Sequence, residues 1–323
     1  MKFKSIILAG LALFALAGCE NELSQHVSFD VQASSAGSTT SGDTLIVSKA
    51  TPVTFSFSGN PDIISMYSGE AGHEYGKRNL VAYPANQVKA YLSFTATPIS
   101  GTIPGTLKVL LSTSYTGLTG STTLNNKKAD STAVVTGQWT DITSLCNLSS
   151  TSGTGNKAAV SLQSYLGQQL CIAFQYITST NTTAQPTWTI ANLQVVDSLA
   201  GSSPVVIAAS AMGFGALDMN SLTSPYSKSG GAGIWNLSNT TSMSILTSGA
   251  GQPLNNDWII ANPFVVNKRT PDTGTAVKAI GNRVDNYQYT FNTAGTYLVT
   301  FYAAHSNYKY ESETIKTLLI KVK

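Results

Sequence analysis

Charge is what this sequence has least of. Only 11% of its 323 residues are Asp, Glu, Lys or Arg, less than half of the roughly 25% usual in soluble domains. The formal charge is +3, and Lys2 and Lys4 account for two of those positives. There is no basic stripe to neutralise phosphates, so nucleic acid is excluded as a partner. Histidine is scarce as well, at three residues, and so is cysteine, also three. No CxxC or Cys/His spacing is present, which removes structural zinc, and no cofactor or metal is expected. GxSxG, HExxH and Walker loops are missing too. Beyond the first two dozen residues no apolar run approaches the ~20 residues of a spanning helix.

Ser, Thr, Asn and Gly fill the gap left by charge, and 42% of the chain is hydrophobic. That is enough for a sizeable core with hydroxyls and amides on its outer side. The chain opens MKFKSIILAGLALFALAGCENE. Two lysines, an apolar run from Ile6 to Ala17 and small residues before a cut read as a secretory signal. The Leu16-Ala17-Gly18-Cys19 ending resembles the bacterial lipoprotein signal. By that resemblance residues 1–18 are the signal peptide, Cys19 is the lipidated first residue of the mature chain, and 19–26 form a tether. Each buried CH₂ of the acyl chains adds ~0.8 kcal/mol of membrane affinity.

Alternating segments follow. Pro52-Val-Thr-Phe-Ser-Phe-Ser58 sets Val53, Phe55 and Phe57 on one face. Val88–Phe94, Thr106–Ser112, Lys157–Leu162, Gln169–Tyr176, Trp188–Val195, Tyr287–Phe291, Thr296–Ala303 and Thr314–Val322 continue the pattern, with turn chemistry between them. Many short strands so spaced predict an all-β sandwich architecture. Asn125–Asp130 reads as part of a Gly, Ser, Thr and Asn loop. No helix longer than a turn or two is expected after the signal, and Leu162–Gly167 is the best candidate. Cys146 and Cys171 are compatible either with a disulfide in an export compartment or with two buried thiols.

The finish, Gly295-Thr-Tyr297 into Val299-Thr-Phe301, resembles the second half of a PKD-type immunoglobulin-like domain. Its first half lies near the other end, at Val53 to Gly72. The resemblance implies a PKD/Ig-like sandwich made of 27–80 and 280–323 and split by an insert, 81–279. Within the insert, Leu107–Thr113, Trp139–Thr143, Ile172–Tyr176 and Trp188–Asn192 resemble galactose-binding-like jelly rolls. Asn256-Asp-Trp-Ile-Ile260 looks like the opening strand of such a module. Over nearly the whole mature chain, Phe55–Gly59, Tyr67–Glu70 with Tyr75, Asn256–Trp258 and Asp272–Gly274 resemble the DUF5017 family of Bacteroidota lipoproteins. That resemblance implies an outer-membrane lipoprotein facing the exterior, associated with glycan uptake. Glu20 and Glu22 suit export to the outer face. Asp43, Asp130 and Asp197 each begin an Asp-Ser/Thr-X triplet similar to the phylum's O-glycosylation sequon.

Sugar recognition needs an exposed ring with amides or carboxylates around it. Trp139, Trp188 and Trp258 sit in apolar patterns and are expected in the core. Trp235, flanked by Gly, Ser and Asn, is the expected exposed platform, with Tyr226 and Tyr115 as weaker candidates. Glu70, His73 and Glu74 form the one dense polar cluster. Such a cluster suits either a cation or acid/base work, or a loop folded on itself. The function expected is non-catalytic glycan binding as an accessory to polysaccharide uptake. The alternative is a structural or adhesin-type lipoprotein with a protein partner. A weak hydrolase on the Glu70–His73–Glu74 loop stands third.

Overall fold

The computed structural model describes residues 26–101, 104–120, 123–222, 235–246, 249–306 and 311–323. The fold is all-β, organised as sandwich-like pairs of sheets. The chain divides into two compact units. One comprises the described residues up to Val81 with Thr270–Lys323, and the other Ala82–Arg269.

In the first unit Phe29–Ser35, Pro52–Gly59 and Asn286–Thr290 form a three-stranded antiparallel sheet. The second sheet runs Thr275–Lys278, Ile63–Tyr67, Gly295–Ser306, Glu311–Val322, Thr44–Val47, Thr39–Ser41. Thr44–Val47 lies parallel to Glu311–Val322, and the other pairs are antiparallel. Alternation explains the burial: Val53 and Phe55 go into the core while Ser56 stays outside. Phe55 and Phe57 set their rings edge-on to Phe301, at 5.0 and 5.3 Å between centroids. Residues 270–279, expected in the insert, belong to this unit. The reason is that Thr275–Lys278 pairs with the otherwise open edge of Ile63–Tyr67.

The second unit has two six-stranded sheets. The first runs Gly215–Asp218, Asn256–Ile260, Gln169–Ile177, Leu107–Ser112, Thr140–Asp141, with Phe264–Val265 also on Gln169–Ile177. The second runs Trp235–Asn236, Ser242–Ile245, Thr187–Leu199, Val88–Ile99, Asn156–Ser161, with Val205–Ala208 also on Thr187–Leu199. Residues of both sheets share one core. In it Phe94 meets Phe174 edge-on at 5.3 Å, among Leu92, Ile172, Ile190 and Val195. Gln169–Ile177 is buried on both faces, which is why it reads as a continuous apolar run. Cys171 and Ala173 point away from the main core into a second cluster with Leu110, Leu217, Trp258 and Ile260.

A 13-residue helix, Leu124–Thr136, contributes Val134 to this second cluster, where a loop was expected. Its buried positions are Lys127, Asp130 and Val134, so the inward stripe has helical spacing but is mostly polar. The Asp130 carboxylate accepts hydrogen bonds from the backbone N–H and the hydroxyl of Thr119, both at 2.9 Å. Leu162–Gly167 contains only a single 3₁₀ turn, Gln163–Tyr165.

The two core cysteines are free and lie in different clusters. Cys146 donates to the Ile142 carbonyl at 3.3 Å and Cys171 to the Ala261 carbonyl at 3.1 Å. The bridge that the sequence left open is therefore absent. Among the described residues no helix is long and apolar enough to cross a membrane. Cys19 and Tyr226 lie outside the described residues.

Candidate functional site

Val88–Ile99 alternates strictly at its start. Val88, Ala90 and Leu92 are buried, whereas Lys89 is exposed and Tyr91 half-buried on the outer face. On one side Tyr91 stands opposite Ser161, and on the other opposite Val196. Lys89 stands opposite Ser198. At this end of the sheet's outer face lies an open groove of about 840 Å³, walled by Lys89, Tyr91, Ser161 and Ser198, with Asn86 and Gln87 at its rim.

The rim is tied to the strands. The side-chain amide of Gln163 donates to the carbonyls of Ala85 and Val88, each at 3.2 Å. The Ala200 N–H donates to the Gln87 carbonyl at 3.1 Å. Sites carried on strands hold their geometry better than sites on loops. Among the described residues no Asp, Glu or His lines the groove, so these residues supply no carboxylate pair for glycoside cleavage. Beside the aliphatic Ala85, Val88, Ala90, Ala159, Leu199 and Ala200, it offers one phenol ring, hydroxyls, amides and an ammonium. Tyr91 was missed in the sequence. Its signal was available as an aromatic at the outward position of an alternating strand.

The residues singled out by sequence lie elsewhere. Trp235 is 1% exposed, not an open platform. It forms a two-residue strand with Asn236 opposite Ile245, and this pairing turns its indole into the core. The indole N–H donates to the Asp257 carbonyl at 3.2 Å. Tyr115 is also buried, not exposed: it packs on Trp139 at 5.0 Å, and Trp139 in turn on Trp258 at 5.5 Å. Trp188 and Trp258 are buried and Trp139 half-buried. Of the triplet aspartates, Asp43 is exposed while Asp130 and Asp197 are buried.

Glu70, His73 and Glu74 share one loop of the first unit, but their polar atoms go to separate partners. Glu70 accepts from the Ser68 hydroxyl at 3.1 Å and from the Tyr289 hydroxyl. His73 Nδ1 lies 2.7 Å from the Thr273 carbonyl. The Glu74 side chain pairs with Lys77, while its backbone N–H donates to Asp272 at 2.9 Å. Tyr75 packs edge-on to Tyr67 at 5.2 Å, and the Arg78 guanidinium covers its ring at 3.7 Å. The loop is tied by Glu70, His73 and Glu74 to Tyr289, Thr273 and Asp272 rather than gathered around one point. Among the described residues no group of three or more His, Cys, Asp or Glu could hold a metal ion.

One further acid stands out. Asp257 is buried in the second unit, opposite Tyr176 on one strand and Asp218 on the other. Its Oδ2 has no hydrogen-bond partner. Burial, and then the Asp218 charge, push its carboxyl up to about 8. Asp218 instead accepts the backbone N–H groups of Asn220 and Ser221, both at 2.9 Å.

The family described as "Domain of unknown function (DUF5017)" matches residues 18–214. The chain belongs to the DUF5017 family. No curated protein and no solved structure matches it. The DUF5017 match includes Tyr91, Lys89, Ser161 and Ser198, and hence every wall of the groove just named. It stops before Asn256–Trp258 and Asp272–Gly274, so those two segments do not carry it, and it covers less of the chain than the sequence resemblance implied.

Proposed function

We propose that this DUF5017 protein is a non-catalytic lipoprotein, tethered through Cys19 to the outer membrane and facing the exterior. It binds glycan in the groove over Tyr91, as an accessory to polysaccharide uptake. The observation that carries the reading is the groove itself. A ring stands beside hydroxyls and amides, the set needed to stack a sugar's C–H face and pair its hydroxyls, and among the described residues its lining holds no Asp, Glu or His. Two facing antiparallel sheets in the second unit support the jelly-roll reading. The parallel Thr44–Val47 pairing supports the PKD/Ig-like reading of the first. The signal sequence supports the address, in the envelope of a Bacteroidota cell.

The test is affinity electrophoresis on a glycan panel with Tyr91→Ala and Tyr91→Phe. Tyr91→Ala should lose retardation and Tyr91→Phe should keep most of it. If Tyr91→Ala migrates like the parent on every retained glycan, the site is wrong. Mass spectrometry of the native protein should find acyl chains on Cys19, and an unmodified thiol there would overturn the anchoring.

A second reading has its own observation. On the first unit Leu298 stands opposite Leu319, and Tyr302 opposite Ile315. Leu298 is 55% exposed, Ile315 42% and Leu319 36%. An apolar patch of this kind suits a protein partner in an envelope complex. Leu298→Glu would then abolish co-purification of that partner and leave glycan retardation unchanged.

A further inference from the structure

The sheet that carries Tyr91 sorts its charges by face. Its six strands contain one acid, Asp197, and two lysines, Lys89 and Lys157. Asp197 stands opposite Ala90, on the core side, and is 1% exposed. Lys89 and Lys157 are exposed on the outer side. Neither ammonium makes a hydrogen bond or ion pair with a described residue. The outward register between them is continuous: Tyr91 opposite Ser161, Ser93 opposite Ala159, Thr95 opposite Lys157. Thr97, Thr189, Ser242 and Ser244 extend the face with hydroxyls. Six residues separate the level of Lys89 from that of Lys157, about 20 Å along the strand pair. An extended chain lying along this face would meet an ammonium at each end, a ring near one of them, and no carboxylate to repel it.

We infer that the ligand of this face is an anionic polysaccharide, one whose sugars carry carboxylate or sulfate groups. The inference rests on the glycan reading above and adds the charge class to it. A chain with 11% charged residues that leaves two cations on a sheet face whose strands present no acid selects its ligand by sign. Neutral sugars would gain only hydrogen bonds from either lysine, with no attraction between opposite charges. An anionic polymer gains from both, and the gain weakens with salt because both ammoniums are exposed.

The experiment uses matched polymers: polygalacturonate against its carboxyl-reduced form, and dextran sulfate against dextran. The full chain is run in affinity gels with Lys89→Gln, Lys157→Gln, the double variant and Lys89→Arg. Retardation on a charged polymer but not on its neutral partner supports the inference, whether carboxylate or sulfate supplies the charge. Each glutamine substitution should weaken binding about fivefold, from the typical worth of one lysine beside an anionic surface. Lys89→Arg should stay near the parent. Both lysines are exposed, so unchanged thermal unfolding of the variants separates binding from folding. Equal retardation on a neutral partner would overturn the charge inference and leave the glycan reading standing. No retardation on any polymer, neutral or charged, would overturn both. Equal retention by single-stranded DNA would overturn selectivity for sugar.

Discussion

Replacing Asp257 by Asn should stabilise the second unit increasingly as pH rises. In the folded chain the carboxyl sits at about 8 against an ordinary 3.8, because burial disfavours its charge and Asp218 stands opposite. Unfolded, it titrates near ~3.9. Between these values the native chain holds a proton that the unfolded chain has lost. Stability contributed by the neutral acid is therefore complete below about pH 4 and declines as pH rises, until about 8. The slope approaches ~1.4 kcal/mol per pH unit, and about four units bound the total at roughly 5–6 kcal/mol. Relaxation and water entry lower that figure. Asn keeps the volume and cannot ionise, so the variant escapes the decline. At 2–4 °C per kcal/mol for a unit of this size, the two melting temperatures should separate by roughly 10 °C or more by pH 9. They should nearly coincide at pH 4. Thermal unfolding at pH 4, 5, 7 and 9 reads this directly, with Asp218→Asn as control. Removing that neighbouring charge lowers the Asp257 value and ends the decline at a lower pH. Parallel melting curves for parent and Asp257→Asn from pH 5 to 9 would refute the reasoning.

Three more outcomes follow from packing. Burial pushes the Cys146 and Cys171 thiols up to about 12, so a Cys19→Ser chain should show no reactive thiol at pH 8 until denaturant is added, then two. Fast labelling of the native chain would contradict this. Trp235→Ala should cost ~3–5 kcal/mol in urea unfolding, as for other buried aromatics, and leave glycan retardation of the folded fraction intact. Lost retardation at unchanged stability would instead return Trp235 to the ligand. Asn192 holds φ +54°, so Asn192→Val should cost ~1–3 kcal/mol while Asn192→Gly stays near the parent; equal melting temperatures for the two would speak against backbone strain there.

Period-2 patterns made the sheets legible, because each face of a strand is dictated by its own residues. Val53 with Phe55 and Ala90 with Leu92 name their core sides without help from the rest of the chain. The helix Leu124–Thr136 was not legible, since its inward stripe is Lys127, Asp130 and Val134 and the apolar signal is missing. Trp235 misled for a related reason. Its polar flanks suggest exposure, yet a two-residue strand needs only its pairing with Ile245 to bury the ring. Glu70 to Glu74 look like a cluster only because they are close in sequence. Its chemistry was decided by Tyr289, Asp272 and Thr273, some two hundred residues away. Tyr91 is the reverse case, readable from its own strand as the outward aromatic of an alternating run.

The charge sorting of the groove sheet traces to a single backbone irregularity. Along Thr187–Leu199 the core positions are first even-numbered, Trp188 and Ile190, and then odd-numbered, Leu193, Val195 and Asp197. The change of phase falls where pairing with Val88–Ile99 jumps from Ala191 to Gln194 while the partner advances only from Thr95 to Ser93. One extra residue is accommodated there as a bulge. Asn192 takes the left-handed backbone that this requires, and its N–H donates to the Thr241 carbonyl at 3.0 Å. Had the even phase continued, Leu193 and Val195 would face solvent, and Asp197 would stand on the outer face beside the level of Lys89. There its carboxylate would pair with the ammonium that now stands free. One asparagine in a left-handed turn therefore determines both that an acid is buried at the core side, where burial raises its pKa, and that the face opposite it meets a ligand with positive charge only.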